Sequence, residues 1–127
     1  MTSLNIALIF NDHDARDIAV YSQQLAPMIA SDYIVGVNSI AHITVLQVDM
    51  ESDDVRDRMA RLKFSPINLT ATRAYQNLGS GGVTWHGVEI ALTPELSAVQ
   101  MQIWDALGRP DVHNKVGDQY FPHITTG

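Results

Sequence analysis

The sequence predicts one α+β domain made of two similar halves, each a strand, a helix and a strand, related by an approximate two-fold axis. Three observations lead there. Five short apolar or β-branched runs read as strands, and two long stretches with apolar residues at three- and four-residue steps read as helices. The order strand, helix, loop, His-Ile-Thr strand also occurs twice. The offset of 81 residues between His42 and His123 carries Leu4 onto Trp85 and the first long helix onto the last. One domain then spans 1–127, with halves at about 1–66 and 67–127.

Each element has its own warrant. Leu4 to Phe10 is an apolar run ending at Asn11-Asp12, which reads as a buried strand followed by a helix cap. Ala15, Ile18, Ala19, Ser22, Leu25, Ala26 and Ile29 form one face of a helix from about Asp14 to Ala30, with Pro27 expected to end or kink it early. His42 to Val48 has the composition of a strand. Glu51 to Lys63 reads as a short charged helix with Val55, Met59 and Leu62 inward. Ile67 to Tyr75 and Val83 to Leu92 read as a hairpin around Gly79-Ser80-Gly81-Gly82. Thr93-Pro94-Glu95 supplies a cap, a proline at the first helical position and an early acid, opening a helix to about Leu107 with Leu96, Val99, Ile103 and Leu107 inward. Gly108-Arg109-Pro110 ends it, and a polar loop leads to a last strand, Tyr120 to Thr126.

Composition narrows the function classes. With 46% apolar and 17% charged residues in 127, the chain has the makings of a packed core. It has no cysteine, so disulfides, thiolate chemistry and Cys-based metal sites are excluded, and the expected compartment is the cytoplasm. The N-terminal run reads as a strand and not as a signal peptide, and no apolar stretch is long enough to cross a membrane. A net charge of -6 argues against tight binding of long nucleic acid, which depends on releasing counterions to a basic surface. A small nucleotide or one RNA end needs only a few well-placed donors.

The chemistry sits in two triplets, His42-Ile43-Thr44 and His123-Ile124-Thr125. In a strand, residues i and i+2 share a face, so each His stands beside its Thr while the Ile points into the core. Average composition places an apolar residue and then Ser or Thr after about one histidine in twenty, so a single copy means little. Two copies at equivalent places in a repeated unit point to a shared cleft holding two imidazoles and two hydroxyls. That set suits in-line displacement at phosphorus. One neutral imidazole takes a proton from the attacking oxygen, the other protonates the leaving oxygen, and the threonines hydrogen-bond the non-bridging oxygens. No cofactor and no metal is needed for this scheme. No His, Asp and Glu grouping shows metal-ligand spacing, and Ser39 and Ser80 lack a nucleophile-elbow context.

The segments HITV at 42–45 and FPHIT at 121–125 resemble the paired signatures of the 2H phosphoesterase superfamily, which includes 2′-5′ RNA ligase-like proteins and cyclic nucleotide phosphodiesterases. The resemblance implies a bilobal fold with antiparallel sheets lining a central cleft and helices outside. It implies His42 and His123 as the catalytic pair and Thr44 and Thr125 as phosphate-binding hydroxyls. Substrates would carry a 2′,3′-cyclic phosphate or a 2′-5′ linkage. Two departures stand out: family members usually continue beyond the second motif, and Thr126 stands where an apolar residue is more usual. A shortened second lobe would leave a strand edge bare for another subunit, so the expectation includes a homodimer.

Secondary candidates flank these motifs. Tyr120, Phe121 and Trp85 could stack on a base, although an aromatic at a strand entry is more often core. The glycine-rich tip lacks the lysine and helix of a phosphate loop and reads as a turn. Arg73, Arg109 and Lys115 are candidate phosphate partners, with Lys115 the best placed because its loop leads to His123. His13, His86 and His113 are expected at the surface or at element ends. The leading expectation is a phosphodiesterase in which pseudo-symmetry leaves the two histidine roles interchangeable, the family resemblance implying His42 as base and His123 as acid, and the rival is a module that binds a nucleotide without turning it over.

Overall fold

A computed structural model describes residues 3–78 and 82–127. Along the chain run β1 (Ser3–Ile9), α1 (Asp12–Ile29), β2 (His42–Asp49), α2 (Ser52–Met59), β3 (Ala71–Leu78), β4 (Thr84–Ile90), α3 (Pro94–Ala106), a 3-10 turn (Gly117–Gln119) and β5 (His123–Thr125). The architecture is mixed α and β. β1 and β2 form a two-stranded sheet, and β3, β4 and β5 form a three-stranded sheet in which both pairs are antiparallel.

Local sequence accounts for the helices. The Asn11 side chain caps α1 by accepting from the Asp14 N–H, and Asp12 and Asp14 lie in the first turn where the helix dipole favours acids. Its expected inward face is the one the structure buries, with Ser22 and Ala26 innermost. Pro27 neither ends nor splits α1. It lies in the last turn, where a missing N–H costs one bond, and the helix closes at Ala30 in the left-handed region. Thr93 caps α3 by accepting from the Leu96 N–H at 3.2 Å. α2 stops at Met59, four residues before the expected end.

Strand boundaries moved more. β1 is only half-buried, and Ile9 is 76% exposed, because a two-stranded sheet leaves much of its surface to solvent. β3 begins at Ala71 and not at Ile67, since its first partner is Ile90 near the end of β4. β5 shrinks to three residues, His123–Thr125, because residues 120–122 are irregular and only Glu89, Val88 and Gly87 of β4 have partners in it. Residues 79–81 of the expected glycine-rich tip lie outside the described residues, while Gly82 has a positive φ.

The chain divides into two compact units that interleave in sequence instead of following the halves 1–66 and 67–127. One gathers the residues up to Ala7, Thr44–Thr70 and Ala91–Pro122, and the other gathers Leu8–Ile43, Ala71–Ile90 and His123–Gly127. In the first, Val45, Leu46, Val48, Leu96, Val99 and Ile103 form the core. A fully buried Gln100 on α3 donates to the carbonyl oxygens of Val45 and Lys115 and accepts from the Gly117 N–H. Asn114 also donates to the Val45 carbonyl and accepts from the Gln47 N–H. In the second unit, a fully buried Ser22 on α1 donates to the Thr126 carbonyl and accepts from the Val35 N–H.

Thr126 supplies the contrast. Its hydroxyl is buried and finds no hydrogen-bond partner among the described residues, which is the penalty expected where an apolar residue would fit better. Thr126→Val keeps the shape and is expected to raise stability by about 1 kcal/mol, whereas Ser22→Ala strands two buried backbone groups and should lower it by about 2 kcal/mol. Urea denaturation midpoints at constant m-value check both. A destabilised Thr126→Val protein would show that the hydroxyl is satisfied after all.

Candidate functional site

Strand parity holds at both triplets. In β2, His42 and Thr44 are half-buried and Ile43 is fully buried; in β5, His123 and Thr125 are half-buried and Ile124 is buried. Each histidine therefore shares a half-open face with its threonine. His42, His123 and Thr125 belong to the second compact unit, and Thr44, Lys115, Tyr120 and Phe121 to the first.

The two imidazoles are held differently. Nδ1 of His42 lies 2.6 Å from the Ile40 carbonyl oxygen. A carbonyl only accepts, so Nδ1 carries the proton, and in the neutral ring Nε2 keeps its lone pair. His123 instead meets the ring of Tyr75 edge to face, with centroids 5.9 Å apart and planes at 83°.

Register across the three-stranded sheet adds the rest of this face. Arg73, Glu89 and His123 are successive partners in one row, and Tyr75, Gly87 and Thr125 in the next. The Glu89 carboxylate accepts from Arg73 and from the Thr72 hydroxyl, and these bonds, Arg73 first, hold its pKa below the usual carboxylate value. Burial, and then the charge of Glu89, push the Tyr75 phenol up to about 12. Tyr75, Gly87 and Glu89 are not among the residues that sequence reasoning singles out. Their signal is cross-strand register, which one chain's letters do not display when the strand is expected to end at Tyr75.

Other candidates find structural employment. Tyr120 is 5% exposed, its phenol is pushed up by burial, and its hydroxyl donates to the Thr44 carbonyl at 2.7 Å, so it positions the first triplet from below and offers no face for stacking. Phe121 is 38% exposed. Lys115 is exposed, and the fold uses its carbonyl, which accepts from Gln100 and Asn114. Arg73 is engaged by Glu89. Arg109 pairs with Asp105 and lies over the Trp104 ring at 4.8 Å. Both arginines thus form surface ion pairs, the role that sequence reasoning favours over a phosphate contact for each. His113 pairs with Asp49, His13 is at the surface, and His86 sits within β4.

Two further features are set apart from the triplets. Trp85, 40% exposed, meets Tyr33 edge to face at the wall of a cavity of about 400 Å³ that also includes Asp32 and His86. His13, Asp14 and Asp17 bring ligand atoms within 4.8 Å of one another on the exposed first turn of α1, where acids answer the helix dipole. Among the described residues, no helix is long and apolar enough to cross a membrane. Comparison with protein-family models, with characterised proteins and with solved structures returned no match.

The Tyr75 environment makes a direct prediction. Its folded-state value lies above the ordinary 10.0, so the neutral phenol's contribution to stability is fully present below pH 10 and is lost as pH rises through about 12. Spectrophotometric titration of phenolate absorbance should contain a component near pH 12 that disappears in Tyr75→Phe. Loss of a component near pH 10 instead would contradict this placement.

Proposed function

We propose that this protein is a phosphodiesterase of the 2H phosphoesterase kind, acting on a 2′,3′-cyclic phosphate, a small cyclic nucleotide or an RNA-end 2′-5′ phosphodiester. The observation that carries the reading is the parity of the two triplets, each with its His and Thr half-open on one strand face and its Ile buried. The element order adds support, since β1-α1-β2 and β4-α3-β5 repeat the same succession of strand, helix and strand.

In the proposed mechanism a water, or an RNA hydroxyl in the reverse transesterification, attacks phosphorus in line with the leaving oxygen. His42 takes the attacking proton at Nε2, the nitrogen that the Ile40 carbonyl leaves with its lone pair. A P–O bond forms to the attacking oxygen and the bond to the leaving oxygen breaks. The His123 imidazolium protonates that leaving oxygen, so one proton enters the protein as another departs. The Thr44 and Thr125 hydroxyls hydrogen-bond the non-bridging oxygens as charge builds on them. Every proton transfer is assigned to an imidazole, so no step calls for a metal ion.

Removing either half of a general acid-base pair commonly costs about 10² to 10⁴ in rate. His42→Ala and His123→Ala are each expected to lower kcat/KM on a 2′,3′-cyclic nucleotide by that amount while circular dichroism stays unchanged. The wild-type rate should be bell-shaped against pH. Full activity in either single variant would sink the two-histidine mechanism. Calorimetric binding of the cyclic nucleotide by the wild type, with no product after hours, would favour a binding module.

A further inference from the structure

Gly87 stands between Tyr75 and Thr125, the register partner of both. A β-carbon there would lie 2.6 Å from the Tyr75 hydroxyl and 2.7 Å from its Cζ, closer than real β-carbons approach other atoms. The phenol thus fills the space that a side chain of β4 would otherwise occupy, the close approach that a glycine inside a strand permits. Neighbouring strands are about 4.8 Å apart and directly paired residues share a face. A phenol laid across Gly87 therefore carries its hydroxyl from the β3 side of the sheet toward Thr125, while its ring meets the imidazole of His123.

We propose that Tyr75 is a third hydroxyl of the phosphate site, donating to a non-bridging oxygen beside Thr125 while its ring fixes the imidazole plane of His123. The proposal rests on reading His123 and Thr125 as phosphate-handling residues. The phenol donates a hydrogen bond and surrenders no proton. Burial and the nearby Glu89 keep it neutral, so at physiological pH it is a donor and does not compete with His42 as a base. Arg73 and Thr72 already engage Glu89 in the adjoining row, which limits the repulsion that its carboxylate would exert on an incoming phosphate.

Tyr75→Phe removes one oxygen and keeps the ring, so the fold and the contact with His123 survive. The test measures turnover of a 2′,3′-cyclic nucleotide and the affinity for inorganic phosphate, the latter by ³¹P line broadening. Losing one preorganised donor should lower kcat by about 10- to 100-fold with KM changed about twofold or less, and should weaken phosphate binding by about tenfold. A Tyr75→Phe protein with wild-type phosphate affinity overturns the proposal, as does a wild type that binds no phosphate. If the wild type turns nothing over yet Tyr75→Phe loses phosphate affinity, the phosphodiesterase reading falls and the third hydroxyl stands.

Discussion

Side chains from elsewhere in the chain satisfy backbone in and beside the strands that carry the two triplets. Carbonyl groups of Thr44 and Val45 in β2, and of Thr126 just after β5, accept from Tyr120, Gln100, Asn114 and Ser22. Buried carbonyls without partners would cost free energy comparable to the whole margin of a small domain if several went unmet. Gln100 and Ser22 play matching parts. Each is a fully buried polar residue on a long helix, and each donates to the carbonyl of the residue that follows a triplet. This ties the placement of His42-Thr44 to α3 and that of His123-Thr125 to α1. A helix and the triplet it holds are far apart in sequence, which explains why the compact units interleave.

Charge is used sparingly on the face that carries His123. Arg73 there is bound to Glu89, and beside them in the paired rows lie an imidazole, a threonine and a tyrosine held neutral. Under the proposed mechanism the positive charge facing the substrate comes from one imidazolium. Such a face suits a phosphodiester with its single negative charge better than a monoester with nearly two, because neutral donors respond to charge that develops in the transition state without gripping a dianionic product. A chain with net charge -6 gains no long-range attraction for a polyanion, in keeping with a small substrate.

Much of this was legible in the letters. The cap at Asn11, the inward face of α1, the cap at Thr93 and the parity of both triplets follow from local rules, and the structure shows each of them. What escaped was whatever depends on pairing. Gln100 donates to a carbonyl 55 residues away, which a polar letter on a helix does not reveal. Tyr75 stands at the expected end of its strand, and the register that joins it through Gly87 to Thr125 is set by β4. Tyr120 is core, the more usual place for an aromatic at a strand entry, but nothing in the letters shows that its hydroxyl reaches the Thr44 carbonyl.

The duplicated letters also conceal a difference between the two histidines. A carbonyl against Nδ1 of His42 fixes where its proton sits and turns Nε2 into an acceptor, the form a base requires. The ring of His123 meets an aromatic edge, that of Tyr75, and its register partner across the strands is Glu89. Two equal triplets thus stand in unequal surroundings, made by residues that lie outside both motifs.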